Sequence, residues 1–272
     1  MGPLISLAFL IAASDPGIAF PGQWAPPPAT QKYPPVPKSC WTRFTDPVER
    51  AACLETVVKD FGKLERFAAA NAALGPAGKG ERRIVFFGDS ITDNWSKANY
   101  GGFFPGKRYL NRGIGGQTTG QMLLRFRPDV IALAPRAVVI LAGTNDLSGN
   151  TGPVSPETIE NNLASMVELA RAHKINVALA SLLPVCDCKK SPDGKPITRT
   201  QDRPPQSIVA LNQRIAALAR KTGVAYIDYF SALVDTKGAL KTELTDDGLH
   251  PNAAGYAVMA PIAEKAIAKL AR

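Results

Sequence analysis

Residues 83–97 read Arg-Ile-Val-Phe-Phe-Gly-Asp-Ser-Ile-Thr-Asp-Asn-Trp-Ser-Lys, and the parsing of this stretch decides the fold. Ile84–Phe87 is an unbroken apolar run, without the alternation of a half-exposed strand, which predicts a strand covered on both faces. Gly88-Asp89-Ser90 interrupts it with turn formers, and Ile91–Lys97 resumes at helical spacing. A covered strand that passes through a short turn into a helix is the opening of a parallel βα unit.

The same rhythm continues downstream. Further strands are expected at Tyr109–Asn111, Ala137–Leu141, Asn176–Leu182 and Val224–Ile227, and helices at Thr119–Phe126, Pro156–His173, Ser207–Lys221 and Ala253–Leu270. Each intervening segment is long enough for a right-handed crossover, so the expectation is α/β: a three-layer sandwich around a five-stranded parallel sheet. Residues 184–205 are polar, charged and proline-rich, a length of connection that usually forms a functional loop.

Upstream, Leu4–Ala13 is a ten-residue apolar run, about half the roughly 20 residues a membrane-spanning helix needs. Gly17-Ile18-Ala19 supplies small residues where a signal peptidase cuts, so residues 1–19 are read as a signal peptide, although no Lys or Arg precedes the run. Localisation is accordingly expected to be secreted or periplasmic. Seven prolines between Pro21 and Pro37 make residues 20–45 an extended linker. Asp46-Pro47 is an N-cap followed by proline at the first helical position, and the apolar spacing from Val48 through Leu64 and Phe67 predicts a helix running towards Leu74. Residues 46–80 are therefore a helical extension and residues 81–272 the main domain.

Composition narrows the classes. With 45% apolar and 20% charged residues the chain is neither collagen-like, coiled-coil nor disordered. Lys+Arg 32 against Asp+Glu 23 gives a net charge of +9, which admits an acidic partner without naming one. Six cations, Lys97, Lys107, Arg108, Arg112, Arg125 and Arg127, fall between Asn94 and Pro128 with no carboxylate. They read as scattered solvated charge, or alternatively as a field drawing anionic substrates such as phospholipids or uronate-bearing glycans. No aromatic-and-basic recognition motif supports nucleic-acid binding. Cys40, Cys53, Cys186 and Cys188 suit two disulfides in an exported protein, with three possible pairings; Cys40 with Cys53 would staple the start of a helix. Cys186-Asp187-Cys188 lacks the second close pair of a zinc site, so no metal is expected.

In a parallel sheet the loops after the strand carboxyl ends share one rim. Those loops carry Gly88-Asp89-Ser90, Gly113-Ile114-Gly115-Gly116-Gln117, Gly143-Thr144-Asn145-Asp146 and Asp247-Gly248-Leu249-His250-Pro251. Ser90, where a strand gives way to a helix, is placed as a nucleophile. His250 offers a base, and Asp247 three residues earlier a carboxylate to orient it. Gly116, without a side chain, can bring its N–H close, and the Asn145 amide can donate from the neighbouring loop; with the Ser90 N–H they would form an oxyanion hole. Taken singly these residues have plainer readings: Gly88-Asp89-Ser90 as a turn, Asn145 as an Asx turn, Asp89 and Asp146 as loop ties, His173 as a surface residue at a helix end. Asp246 rivals Asp247 for the orienting role. The glycine stretch 113–120 lacks both the P-loop and the dinucleotide spacing, so no nucleotide is assigned.

GDS at 88–90, NRGIGG at 111–116, GTND at 143–146 and DGLHPN at 247–252, in that order, resemble the four sequence blocks of the SGNH (GDSL) hydrolase superfamily. The resemblance runs from Ile84 to the C-terminus, and NRGIGGQTT is closest to the branch with platelet-activating-factor acetylhydrolases and lysophospholipase-like esterases. It implies a flavodoxin-like sandwich, ester hydrolysis without metal or organic cofactor, Ser90 as nucleophile, His250 as base, Asp247 as its partner, and Ser90, Gly116 and Asn145 as oxyanion donors. The implied substrates are small-molecule or glycan esters: first the short-acyl carboxylic esters of a lipase-like acylhydrolase, second acetylated polysaccharide. A non-catalytic carbohydrate-binding protein of the same fold is the alternative from another class, and the complete residue set argues against it. Neither a nucleic-acid partner nor stable membrane insertion is implied, and the 46–74 helix and the 184–205 insertion depart from the family pattern.

Overall fold

The computed structural model describes Cys40 and residues 45–270. The expected signal peptide and nearly all of the expected linker lie outside the described residues. Five strands, β1 (Ile84–Gly88), β2 (Tyr109–Gly113), β3 (Ala137–Leu141), β4 (Asn176–Ala180) and β5 (Ala225–Ile227), form one parallel sheet in the order β2-β1-β3-β4-β5. This is the flavodoxin-like order, whose topological switch lies between β1 and β3.

Side chains on alternate strand positions enter two cores. Val85, Phe87, Val138 and Ile140 pack against Met122 and Phe126 of α4 (Thr119–Asp129), Ile159 and Leu163 of α6 (Pro156–Ala172), and Leu211 and Ile215 of α7 (Pro205–Thr222). On the other face Ile84, Phe86, Val139 and Leu141 meet Ile91 of α3 (Ser90–Asn94), Trp95, and Tyr256 and Met259 of α9 (Ala253–Leu270). Burial of both faces explains why β1 and β3 are apolar at every position. Each fully buried Leu, Ile or Phe side chain contributes about 1.5–3 kcal/mol.

Several boundaries move for local reasons. β2 runs on to Gly113, because Asn111, Arg112 and Gly113 pair in register with Phe86, Phe87 and Gly88 although they look like the start of a turn. α3 stops at Asn94, and Trp95 turns inward to lie 3% exposed. α7 starts at Pro205, where a residue without an N–H loses nothing in the first turn.

The expected continuous helix over 46–74 is broken. Asp46 caps α1 (Pro47–Lys59) by accepting from Val48 N and Glu49 N at 2.8 and 2.9 Å. Asp60 then accepts from Leu64 N at 2.8 Å and Glu65 N at 3.1 Å, and Lys63 takes a left-handed φ of 53°. A short 3₁₀ turn, Leu64–Arg66, leads into α2 (Ala68–Leu74). A side-chain carboxylate competing for the backbone donors ends the helix, which apolar periodicity does not register. Cys40 pairs with Cys53 beside α1, and Cys186 pairs with Cys188.

Candidate active site

The switch between β1 and β3 sets the site, because Ser90 follows β1 and Asn145, within α5 (Thr144–Leu147), follows β3. Asp89 turns the chain here, its Oδ1 accepting from Ile91 N at 2.9 Å. Two glycines let the layers close. A Cβ on Gly113 would sit 2.1 Å from Asp93 N, and one on Gly88 would sit 2.1 Å from Thr92 Oγ1.

Far along the chain, the 245–250 turn delivers the imidazole. Thr245 Oγ1 donates to His250 O at 2.7 Å and accepts from Gly248 N at 3.0 Å. Asp247 Oδ1 accepts from Leu249 N and His250 N at 2.9 and 2.8 Å. Its Oδ2 lies 2.7 Å from His250 Nδ1, and His250 Nε2 lies 2.9 Å from Ser90 Oγ. Asp247, His250 and Ser90 thus form one unbroken line of hydrogen bonds across 160 residues of sequence. Burial opposes ionisation of Asp247, but the ring and backbone donors of His250 outweigh it and hold the carboxyl well below its usual range. Asp246 instead accepts from Asn252 Nδ2, 3.2 Å away, so Asp247 is the carboxylate on the ring.

Gly116 adopts φ 80°, a left-handed conformation that favours glycine. Its neighbour Gly115 lies against Ser90, with a Cβ built there 3.8 Å from Ser90 Cβ. Asn145 Nδ2 donates to Gln117 O at 3.0 Å, which leaves its second amide hydrogen available. Asn150 ties the two loops together, giving to Gly116 O at 2.9 Å and Asn145 Oδ1 at 3.1 Å. Arg203, 7% exposed, gives to Asn145 Oδ1 at 3.4 Å, Ser148 Oγ at 3.0 Å and Thr144 Oγ1 at 3.1 Å.

Asn150, Arg203 and Arg199 were absent from the sequence reading. So was the role of Arg125, which is fully buried: it donates to Gly88 O, Arg112 O and Asp129 Oδ2, each at 2.9 Å, and bonds Gln117 Oε1. Arg112 is also buried, at 7%. The six-cation stretch is therefore not a uniform solvated field; two of its members are internal ties between β1, β2 and the Gly116 loop. Asp146 is a loop tie too, accepting from Thr119 N and Oγ1. His173 caps α6 at the surface. Asp89 Oδ2 is buried without a hydrogen-bond partner among the described residues, and burial pushes this carboxyl up to about 6.

The sequence profile of the GDSL-like lipase/acylhydrolase family matches residues 86–258. The chain belongs to that family. A GDSL-like lipase from Bacteroides thetaiotaomicron is 42% identical with a TM-score of 0.69, over 77% of this chain and 98% of its own. A candidate acylhydrolase from Bacteroides fragilis is 41% identical with a TM-score of 0.70, over 78% and 99%. An uncharacterized Bacillus subtilis lipoprotein, YqeF, is 34% identical over 133 residues, 42% of this chain and 53% of its own. The chain thus spans about half the length of that curated relative. No helix among the described residues of this family member is long and apolar enough to cross a membrane.

Proposed function

We propose that this acylhydrolase is a serine esterase that cleaves carboxylic esters through an acyl-enzyme on Ser90. The reading is carried by the Asp247–His250–Ser90 line: a carboxylate on Nδ1 fixes the imidazole tautomer that presents an unprotonated Nε2 to the serine hydroxyl. His250 takes the Ser90 proton as Oγ attacks the ester carbonyl. The oxyanion is met by the N–H groups of Ser90 and Gly116, which donate to no acceptor among the described residues, and by the free Asn145 amide hydrogen. The protonated imidazole then gives its proton to the departing alcohol. In the second half, His250 activates a water that releases the acid and restores Ser90.

Asn150 and Arg203 hydrogen-bond Asn145 Oδ1, and Arg203 joins Ser148 and Thr144 to it, so the surroundings of Asn145 are polar, whereas a long acyl chain needs an apolar trough. We therefore assign short acyl groups. Two cystine pairs suit an oxidising compartment, and with residues 1–19 as a cleaved leader they support export. Residues 81–272 are assigned as the catalytic domain, with 46–80 an extension packed on it.

The decisive experiment is Ser90→Ala with an acyl-length series on p-nitrophenyl esters and acetylated xylan, beside labelling by a fluorophosphonate. The wild type should prefer acetate or butyrate esters, and Ser90→Ala should lose both turnover and labelling. His250→Ala should be nearly as damaging, because the two residues act as a unit. Full activity in Ser90→Ala refutes the mechanism. N-terminal sequencing of the secreted product tests the leader, and an intact Met1 refutes it.

A further inference from the structure

The β4–α7 connection reaches the proton relay through one side chain that the reaction as written above does not use. Arg199 Nε donates to the backbone carbonyl of Asp247 at 2.9 Å, and its Nη2 donates to Asp247 Oδ2 at 3.2 Å. That Oδ2 is the atom hydrogen-bonded to His250 Nδ1. We propose that Arg199 is a positioning residue of the relay, locking the Asp247 carboxylate and setting the pH below which His250 ceases to act as base. The inference rests on the reading of Ser90, His250 and Asp247 as catalytic.

Arg199 is itself held in place. Its N–H and that of Thr200 donate to Asp187 Oδ1, and Thr200 Oγ1 donates to Asp187 Oδ2. Asp187 sits between the paired Cys186 and Cys188, and Cys186 N donates to Gly248 O at 2.9 Å. A Cβ on Gly248 would meet Cys186 O at 2.2 Å and Arg199 Cγ at 3.4 Å, so the 186–188 turn, the arginine stem and the 247–250 turn are packed as one unit. A guanidinium gripping both a backbone carbonyl and a carboxylate of one residue is a geometry that a lysine ammonium does not reproduce.

The charge has its own consequence. Asp247 stabilises the imidazolium that forms as Ser90 loses its proton, while a cation on the same carboxylate oxygen opposes protonation of the ring at rest. Asp89 from the β1–α3 turn also faces His250, and Arg203, just ahead of α7, faces Asp89 and Asp247 in turn, with Ser90 neutral. Removing Arg199 leaves two carboxylates and one more distant cation, so the base is lost at higher pH. For charges several ångströms apart at a part-exposed site, the displacement is about half to one pH unit.

The test is the pH profile of kcat/KM on a neutral ester, p-nitrophenyl acetate, for the wild type, Arg199→Gln and Arg199→Lys, with melting temperatures recorded. Arg199→Gln is expected to move the acid limb upward by about half to one pH unit and to lower the plateau. Arg199→Lys should leave the limb near the wild-type position while also lowering the plateau. A glutamine variant whose acid limb coincides with the wild type overturns the proposal whatever its plateau, because a merely structural arginine would lower rate without moving the limb. If the glutamine variant does not fold, Arg199→Met, which keeps an apolar stem without the charge, decides in its place: an acid limb displaced upward supports the proposal and a limb at the wild-type position overturns it. Failure of the underlying mechanism reads differently, as activity surviving in Ser90→Ala.

Discussion

Replacing Asn145 by alanine separates the chemistry of the site from its architecture. The amide makes three hydrogen bonds: to Gln117 O at 3.0 Å, from Asn150 Nδ2 at 3.1 Å and from Arg203 Nη2 at 3.4 Å. Losing one oxyanion donor costs on the order of 10²–10³ in kcat, about 2.7–4 kcal/mol of transition-state stabilisation. The ground-state ester gains little from that donor, so KM should scarcely change. Stability should fall by about 1–3 kcal/mol, because Gln117 O loses its donor inside the protein; Arg203 keeps Thr144 and Ser148, and Asn150 keeps Gly116. Asn145→Asp supplies the contrast. It retains the acceptor for Asn150 and Arg203 and pairs with the arginine charge, yet it aims a carboxylate oxygen where the oxyanion must form. Because Gln117 O then faces an oxygen in place of its donor, the aspartate variant should lose at least as much stability as the alanine variant, and at least as much activity. The assay is kcat and KM on p-nitrophenyl acetate, normalised to fluorophosphonate-titrated sites. If Asn145→Ala keeps its kcat within about threefold, against the hundredfold or more expected for a lost donor, the oxyanion assignment is refuted.

Other outcomes follow from burial and close approach. Asp89 has its carboxyl raised by burial to about 6 from the ordinary 3.8 of an exposed aspartate, so the folded state binds the extra proton between those values. Its contribution to stability is therefore greatest below the lower value and declines as pH rises through about 6. Asp89→Asn should raise the melting temperature at pH 8 and lose that advantage by pH 4, a gain of at most about 3 kcal/mol; equal effects at both pH values would contradict it. Gly113→Ala places a Cβ 2.1 Å from the backbone nitrogen of Asp93. It should cost about 3 kcal/mol or more, seen as a lowered denaturation midpoint and lost activity, and a wild-type midpoint would show that the close approach is wrong.

How much could be read from residues alone depended on the kind of signal. β1 and β3 declare themselves because burial on both faces makes every position apolar, and Ser90, Asp247 and His250 because strand ends and turn residues fix where such side chains stand. Gly113 hid the end of β2, since glycine signals a turn until a neighbouring backbone is seen to need the space. Arg125 and Arg112 looked like surface charge. Their burial depends on carbonyls of Gly88 and Asn111 and on Asp129, acceptors that only the folded sheet assembles. Arg199 and Arg203 lay in a polar connection with no periodicity, where nothing in the string distinguishes a residue facing solvent from one gripping a carboxylate. The break at Asp60 was missed because a helix-ending side chain leaves the apolar spacing around it intact.

The stretch ahead of β1 is attached to β2, the Gly116 loop and α4 by amides. Gln117 Nε2, next to Gly116, donates to Gly62 O at 2.9 Å; Gln121 Nε2 donates to Phe61 O at 2.9 Å; and Asn71 Oδ1 accepts from Arg112 Nε at 2.9 Å. A gene trimmed to residues 86–258, which the family profile matches, would lack one partner of each of these three hydrogen bonds. Its glutamines would have to find water in place of main chain, and the glycine loop would lose its outer scaffold. The segment outside the family boundaries belongs to the smallest unit worth expressing.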